Sequence, residues 1–541
     1  MNALPYSGAA LKVSAVHFFI GKGASGLLNL GILLWLVRLL PVAEYGVYVS
    51  LQAGMLLALA VTSLGLPWMA ARYLPEFRLY ASGKQLTRFV WQVVALICLF
   101  AVAGALLLFV AMPWLLEILN FTQQTDVARL YLLVLVIEGL RLNLQECILE
   151  PLLQQGQTQF SQVVRNLILL LCLGIVANQG TVHLNHVVLA ELAGSFLGAA
   201  VALRGMHRYL CAHRKLSGKD GWQPPNWSEM WRTMRHMYIS LIVTLTYSPS
   251  ALIFLVQRFL GVEITALFGF LLNLYGQICR YLPAFLLFGL IRPKLMASYV
   301  GEGGMAQLAY NANFMGKISL FVLMPILVFV WLSGGELLSL LSGGKFTQSG
   351  YYLGGLLLTL IPFSQRQILE TVAVACGQSH LCFWGSVLGA LILPPVYLLL
   401  EAGHSLWIPI LAIIASQILF NATLTVAMGF TTTYRPDVVG NFKLIAAALV
   451  GFILGFFVKM TWTGRLFLQG ANSFDEFLQN FKKIFSMLLT QQIAVPIHGL
   501  LGLVIIAAFA LGLFLLASLL FNPFRVDERL SLNRLVKRKI L

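Results

Sequence analysis

The chain has 541 residues, of which 59% are hydrophobic and only 10% charged, and its mean hydropathy is +0.84. A soluble domain carries about 25% charged residues, so a water-soluble fold is excluded and lipid must be the solvent for most of the chain. The formal charge of +16 does not point to nucleic acid, because the basic residues sit between apolar spans, where membrane proteins concentrate them.

A helix needs about 20 mostly apolar residues to cross a bilayer. Stretches that meet this need lie near 13–38, 47–71, 91–115, 127–149, 163–178 and 184–204. A basic connection, 205–236, precedes six more near 237–260, 265–290, 314–333, 350–373, 381–400 and 407–428. Two further spans, 442–460 and 497–521, close the series. The sequence therefore predicts an all-α polytopic membrane protein with about fourteen transmembrane helices. The fifth span is short, and the fourth and tenth are rich in polar residues. The segments around 72–90, 204–236, 291–317 and 522–541 are basic and fall on one side under this count, which places both termini in the cytoplasm. Between the last two spans, Phe474, Phe477, Leu478, Phe481, Ile484, Phe485 and Leu488 recur at helical spacing. Residues 473–490 are expected to form an amphipathic helix on the outer interface.

The chain also repeats. Arg38 ends the first span and Arg258 the seventh; Arg72 follows the second and Arg292 the eighth; Glu150 closes an Ile-Leu-Glu at the end of the fourth and Glu370 another in the tenth. Each pair is 220 residues apart. A short turn is expected after each Ile-Leu-Glu, at Gly156-Gln157 and at Gly377-Gln378. Six helices per repeat is an even number, so both halves enter from the same side, as a parallel repeat. The expected domains are an N-terminal six-helix lobe (1–204), a cytoplasmic linker (205–236), a C-terminal six-helix lobe (237–430), and two extra helices with an interfacial helix and basic tail (431–541). Parallel-repeat transporters place the substrate between the halves and rock them.

No catalytic signature is present. Gly343-Gly344-Lys345 lacks the upstream glycine of a phosphate-binding loop, and neither a GxSxG nor an HExxH sequence occurs. The seven cysteines show no CxxC spacing, so neither a disulfide framework nor a metal site is expected. The reading is a non-enzyme that needs no cofactor.

The informative residues are charges inside apolar spans, which cost about 2.5–3.5 kcal/mol at the bilayer centre unless they face a cavity or a partner. Lys22 lies in the first span and Arg280 in the eighth; the fourth carries Glu138, Arg141, Glu146 and Glu150, and the tenth Arg366 and Glu370. Glu138/Arg141 and Arg366/Glu370 stand three and four residues apart, so each pair can neutralise itself on one helix. Arg141 and Arg366 are thus open between structural pairing and substrate contact. Glu146 and Glu150 would repel unless a proton or cation joins them. Lys22 and Arg280 have no acidic neighbour on their own helix and are expected to face a cavity. Basic groups in such a cavity select anions, Arg by bidentate phosphate geometry and Lys as a point charge.

Arg38-Leu39-Leu40-Pro41, Glu44-Tyr45-Gly46-Val47-Tyr48, Ser63-Leu64-Gly65-Leu66, Arg72-Tyr73-Leu74-Pro75-Glu76 and the two Gly-Gln turns resemble the bacterial polysaccharide flippase family of the multidrug/oligosaccharidyl-lipid/polysaccharide exporter superfamily. The two-lobed topology agrees over residues 12–430. The resemblance implies alternating access and transfer of a polyprenyl-diphosphate-linked oligosaccharide across the bacterial inner membrane, for O-antigen or exopolysaccharide synthesis. It implies a central cationic cavity in which Lys22 and Arg280 meet the substrate, with Arg141 and Arg366 secondary. Glu138, Glu146, Glu150 and Glu370 would tune those charges or take a proton. Partners implied are the lipid-linked glycan, membrane lipids and a polysaccharide polymerase or glycosyltransferases. Fourteen spans are like the lipid II flippase branch, whereas the Glu-Tyr-Gly segment is like the O-antigen branch. The alternatives are a cation-coupled drug exporter of the same superfamily and a membrane-embedded glycan polymerase or ligase.

Overall fold

The computed structural model describes residues 8–119, 124–219, 221–282, 304–378, 380–403, 405–462 and 499–529. The chain is an all-α polytopic membrane protein, in which twelve of the described helices are long and apolar enough to span. The fourth and tenth expected spans are not among the twelve: the fourth carries clustered charges, and the tenth is divided into helices of 9 and 16 residues. Residues 125–149 would reach ~37 Å at 1.5 Å per residue, long enough to span. The proposed interfacial helix at 473–490 and the tail beyond 529 lie outside the described residues.

Two compact units divide the chain at residue 269. In the first, α1 (Gly8–Leu39), α2 (Val42–Thr62), α3 (Leu66–Tyr80), α4 (Gly83–Ile118), α5 (Thr125–Leu144), α6 (Gln155–Gln179) and α7 (Leu184–His213) are followed by α8 (Trp227–Thr246) and α9 (Pro249–Leu260). The next helix, α10 (Val262–Tyr281), begins in this unit.

Local chemistry explains where spans break. Leu64 (φ +44°) and Gly65 (φ +80°) take left-handed conformations, ending α2, and Pro67 opens α3. The second span, expected over 47–71, is therefore two helices. The seventh breaks likewise: Ser248 caps α9 by accepting from the Ala251 N–H, and Pro249 follows it. The fifth is longer than expected, 25 residues, because Gln155–Gln162 continue the helix despite their polarity.

Helix α5 runs into a π-helical turn, Gln145–Leu149, and ends with Leu153 at φ +57°. Leu153, not Gly156-Gln157, makes the turn; Gly156 already lies in the first turn of α6. Gly377 does make the turn in the second unit, at φ +73°, with the Gln378 N–H reaching the Ala373 carbonyl, a glycine C-cap. The two Gly-Gln pairs are therefore alike in sequence but not in role.

Small residues let the helices approach. Gly194 and Gly198 form a GxxxG face on α7, and a methyl at either would meet α6, at the Arg165 carbonyl or its Cβ. A Cβ on Gly46 would come within 2.2 Å of the Val262 carbonyl oxygen, so the Glu-Tyr-Gly segment needs its glycine where α2 crosses α10. The 205–236 connection is mostly structure among its described residues: α7 and α8 extend into it, and Lys219 and Trp222, between those helices, dock on α3. There the Lys219 N–H donates to the Tyr80 carbonyl (2.9 Å) and Trp222 Nε1 to Glu76 (3.2 Å). The core beneath joins Met69, Phe77, Phe89, Val93, Ile148 and Met206.

In the second unit a long helix, α11 (Gly304–Ser342), is kinked at Ser333. It is joined by α12 (Gly350–Leu358), α13 (Leu360–Ala375), α14 (His380–Ala390), α15 (Leu393–Ala402) and α16 (Trp407–Thr431). Pro394 opens α15 and breaks the expected eleventh span. The last helices, α17 (Val438–Trp462) and α18 (Gly499–Phe521), both pack on α11.

Candidate functional site

Four charges meet inside the first unit. Glu138 and Arg141 form a bidentate pair, with Nε–Oε2 at 2.8 Å and Nη2–Oε1 at 2.6 Å. Arg141 is only 1% exposed. Arg165 of α6 approaches Glu138 (3.6 Å) and Glu191 of α7 (3.2 Å). The Tyr48 and Tyr131 hydroxyls donate to the two Glu191 oxygens at 2.8 and 2.9 Å. The set is neutral overall, two carboxylates against two guanidiniums, which is how a buried charge survives at bilayer depth. The glycines of α7 make the room: a Cβ on Gly198 would meet Arg141 Cδ at 2.8 Å. Arg141 is thus paired with Glu138 on its own helix, as the three-residue spacing allows. Arg165, Glu191, Tyr48 and Tyr131 were not among the expected residues.

Arg366 is held in the same manner in the second unit. Its Nε donates to Glu370 (2.7 Å), Nη1 to Gln417 (3.3 Å), and its guanidinium lies 3.8 Å from the Phe420 ring centroid. Both arginines that were open between pairing and contact therefore have same-helix carboxylates.

The other expected residues are accessible. Lys22 is half-buried on α1, while Glu146 and Glu150, at the π-helical end of α5, are exposed. Glu150 feels the charges of both Glu146 and Lys22, so this carboxylate has a cation near it. The glycines around Lys22 divide by face. Gly21 packs on Gln159 of α6, where a Cβ would come within 2.3 Å, whereas Gly23 has nothing within 4 Å. Arg280, in the last turn of α10, is exposed. Among the described residues no carboxylate lies within ion-pair distance of it.

A second buried cation was also not anticipated. Lys317 of α11 is 0% exposed and bonds to Asp437 (2.6 Å), before α17, and to Glu528 (2.8 and 3.0 Å), after α18. At the other end of α17, Lys459 pairs with Glu336 of α11 (2.7 Å). Burial opposes ionisation at Asp437. The Lys317 and Gly440 hydrogen bonds and the Lys317 and Arg525 charges outweigh it and hold the carboxyl below its ordinary value. Among the described residues no group of three His, Cys, Asp or Glu could hold a metal.

No family model and no curated protein matches the chain. Solved structures do. The lipid II flippase MurJ, in an inward closed conformation, is similar at 13% identity and TM-score 0.60, over 88% of this chain and 98% of its own. An inward-facing multidrug resistance MATE family transporter of the MOP superfamily matches at 12% identity and TM-score 0.56, over 75% and 93%. The Vibrio cholerae MATE transporter VcmN, in a mutant form, matches at 14% identity and TM-score 0.52, over 78% and 98%. At these identities the likeness is one of fold: the chain has the fold of the MOP superfamily.

Proposed function

We propose that the protein is a flippase that carries a polyprenyl-diphosphate-linked oligosaccharide across the bacterial inner membrane by alternating access. Both termini would be cytoplasmic, and a polysaccharide polymerase or glycosyltransferases would act on either side of it. The observation that carries this reading is how the intramembrane cations divide. Arg141, Arg165, Arg366 and Lys317 are each held by carboxylates of the protein, whereas Arg280 is exposed with no carboxylate in ion-pair reach among the described residues. An exposed guanidinium on a spanning helix suits a diphosphate. Lys22, accessible and beside Glu150, supplies a second cation whose strength the carboxylates temper. In this reading Lys22 and Arg280 each contribute a cation to substrate binding. Glu146 and Glu150 adjust Lys22 or take a proton in the cycle, and the pairs Glu138–Arg141 and Arg366–Glu370 neutralise charge on their own helices.

Support comes also from the fold shared with a lipid II flippase. Purified protein in liposomes, given a labelled polyprenyl-diphosphate oligosaccharide, should move label between leaflets faster than protein-free liposomes. Equal rates would refute the proposal. The second reading is a cation-coupled drug exporter, which the accessible Glu146 and Glu150 and the MATE-like fold favour. Drug efflux from a pump-deficient host, without glycan-lipid movement in liposomes, would select it.

A further inference from the structure

We infer that the first unit holds a lipid-chain binding cavity between α2, α4, α5 and α9. The cavity measures about 130 Å³, close to the ~150 Å³ at which an apolar pocket takes up benzene. Leu51, Met55, Met112, Leu116, Leu132 and Phe254 make most of its wall. Two unpaired polar groups stand in the apolar lining. Gln257, 4% exposed, and Ser50, 6% exposed, present Oε1 and Oγ with no hydrogen-bond partner. Buried polar atoms are nearly always paired, so two of them beside one cavity mark a missing partner.

The surroundings identify that partner's class. Leu106, Leu107, Phe109, Val110 and Trp114, on the outside of α4, are exposed large apolar residues facing the bilayer. What reaches a cavity behind such a wall is hydrocarbon, while the unpaired amide and hydroxyl ask for an oxygen function on the same molecule. The occupant is therefore a single chain of a membrane amphiphile, with a hydroxyl that donates to Gln257 Oε1 or an ester oxygen that accepts from Ser50 Oγ. The site also bears on motion. Its α9 wall is only 12 residues long, entered through the Ser248-Pro249 break and left through Gly261 at φ +85°. A bound chain would tie this short helix to α2, α4 and α5. The inference does not depend on the cargo proposed above.

The full-length protein in nanodiscs would be photolabelled with a phospholipid bearing a diazirine in its acyl chain, and separately with a diazirine polyprenol. Adducts would be mapped by mass spectrometry. We expect labelling at Leu51, Met55, Leu132 and Phe254 above that at bilayer-facing Leu107 and Val110. It should fall to that background in Gly54→Leu, which fills the cavity from α2. Leu132→Trp fills it from α5 and serves should Gly54→Leu unfold. Labelling by either probe supports the site and names the source of the chain. Wild-type labelling no higher than on Leu107 and Val110, or labelling unchanged in both folded variants, would overturn it, whatever the translocation assay returns.

Discussion

Replacing Lys317 by Met tests how the last two helices are attached to α11. The Lys317 ammonium is fully buried and touches both Asp437 and Glu528 within 3.0 Å. Methionine keeps the length of the side chain but strands two carboxylates beside each other. Breaking a buried pair by removing one partner costs about 3–5 kcal/mol. Arg525 remains 3.5 Å from Asp437 but is 68% exposed, and such a contact returns ~0–1 kcal/mol. The net loss should be about 3–4 kcal/mol, read as a lowered unfolding midpoint by intrinsic tryptophan fluorescence. Removing all three charges, in Lys317→Met/Asp437→Asn/Glu528→Gln, leaves no uncompensated ion and should recover most of it. The dependence on pH follows from Asp437. Its folded value is depressed, so its contribution is complete above the unfolded carboxylate pKa of about 3.9 and is lost as pH falls through the lower folded value. In Lys317→Met, acid neutralises the stranded carboxylates, so the deficit against wild type should narrow as pH drops. A single variant as stable as wild type, or a triple variant no better than the single, would refute the reasoning.

Glu191→Gln leaves Glu138, at 3.6 Å, as the one carboxylate in ion-pair reach of Arg165 among the described residues and weakens the acceptor for Tyr48 and Tyr131; a loss of about 3–5 kcal/mol is expected in the same unfolding assay. Gly46→Ala puts a methyl against the Val262 carbonyl, an overpacking worth about 1–3 kcal/mol, and should lower the midpoint where Gly23→Ala, with open space around it, does not. Lys459→Met at the far end of α17 should cost less than Lys317→Met, because both partners there are partly exposed; a larger loss would contradict the ranking by burial.

Much of the fold was legible in the sequence because lipid imposes a single rule, length of apolar helix. The same rule explains the misses. Apolarity does not register a break inside a span, so Gly65, Pro249 and Pro394 divided helices that hydropathy runs together. The charged pairs Glu138/Arg141 and Arg366/Glu370 were legible from spacing alone, and both form. Arg165, Glu191 and Lys317 carried the same signal, a charge near the end of an apolar run, yet their partners come from other helices. Sequence distance hid them: Glu191 meets Tyr48 across 143 residues, and Lys317 meets Glu528 across 211. The Gly-Gln likeness between the halves misled because a glycine signals a turn only where φ is positive, as at Gly377 and not at Gly156.

The most direct measurement is the initial rate at which a labelled polyprenyl-diphosphate oligosaccharide changes leaflet in proteoliposomes, for wild type, Lys22→Ala and Arg280→Ala. One charge-assisted contact is worth about 1.5–3 kcal/mol, so at subsaturating substrate each variant should be slower by roughly ten- to a hundredfold. Arg280→Lys should recover part of the rate, and Arg366→Lys should affect unfolding more than transport. Wild-type rates in both alanine variants would contradict the assignment of these two cations to an anionic lipid cargo.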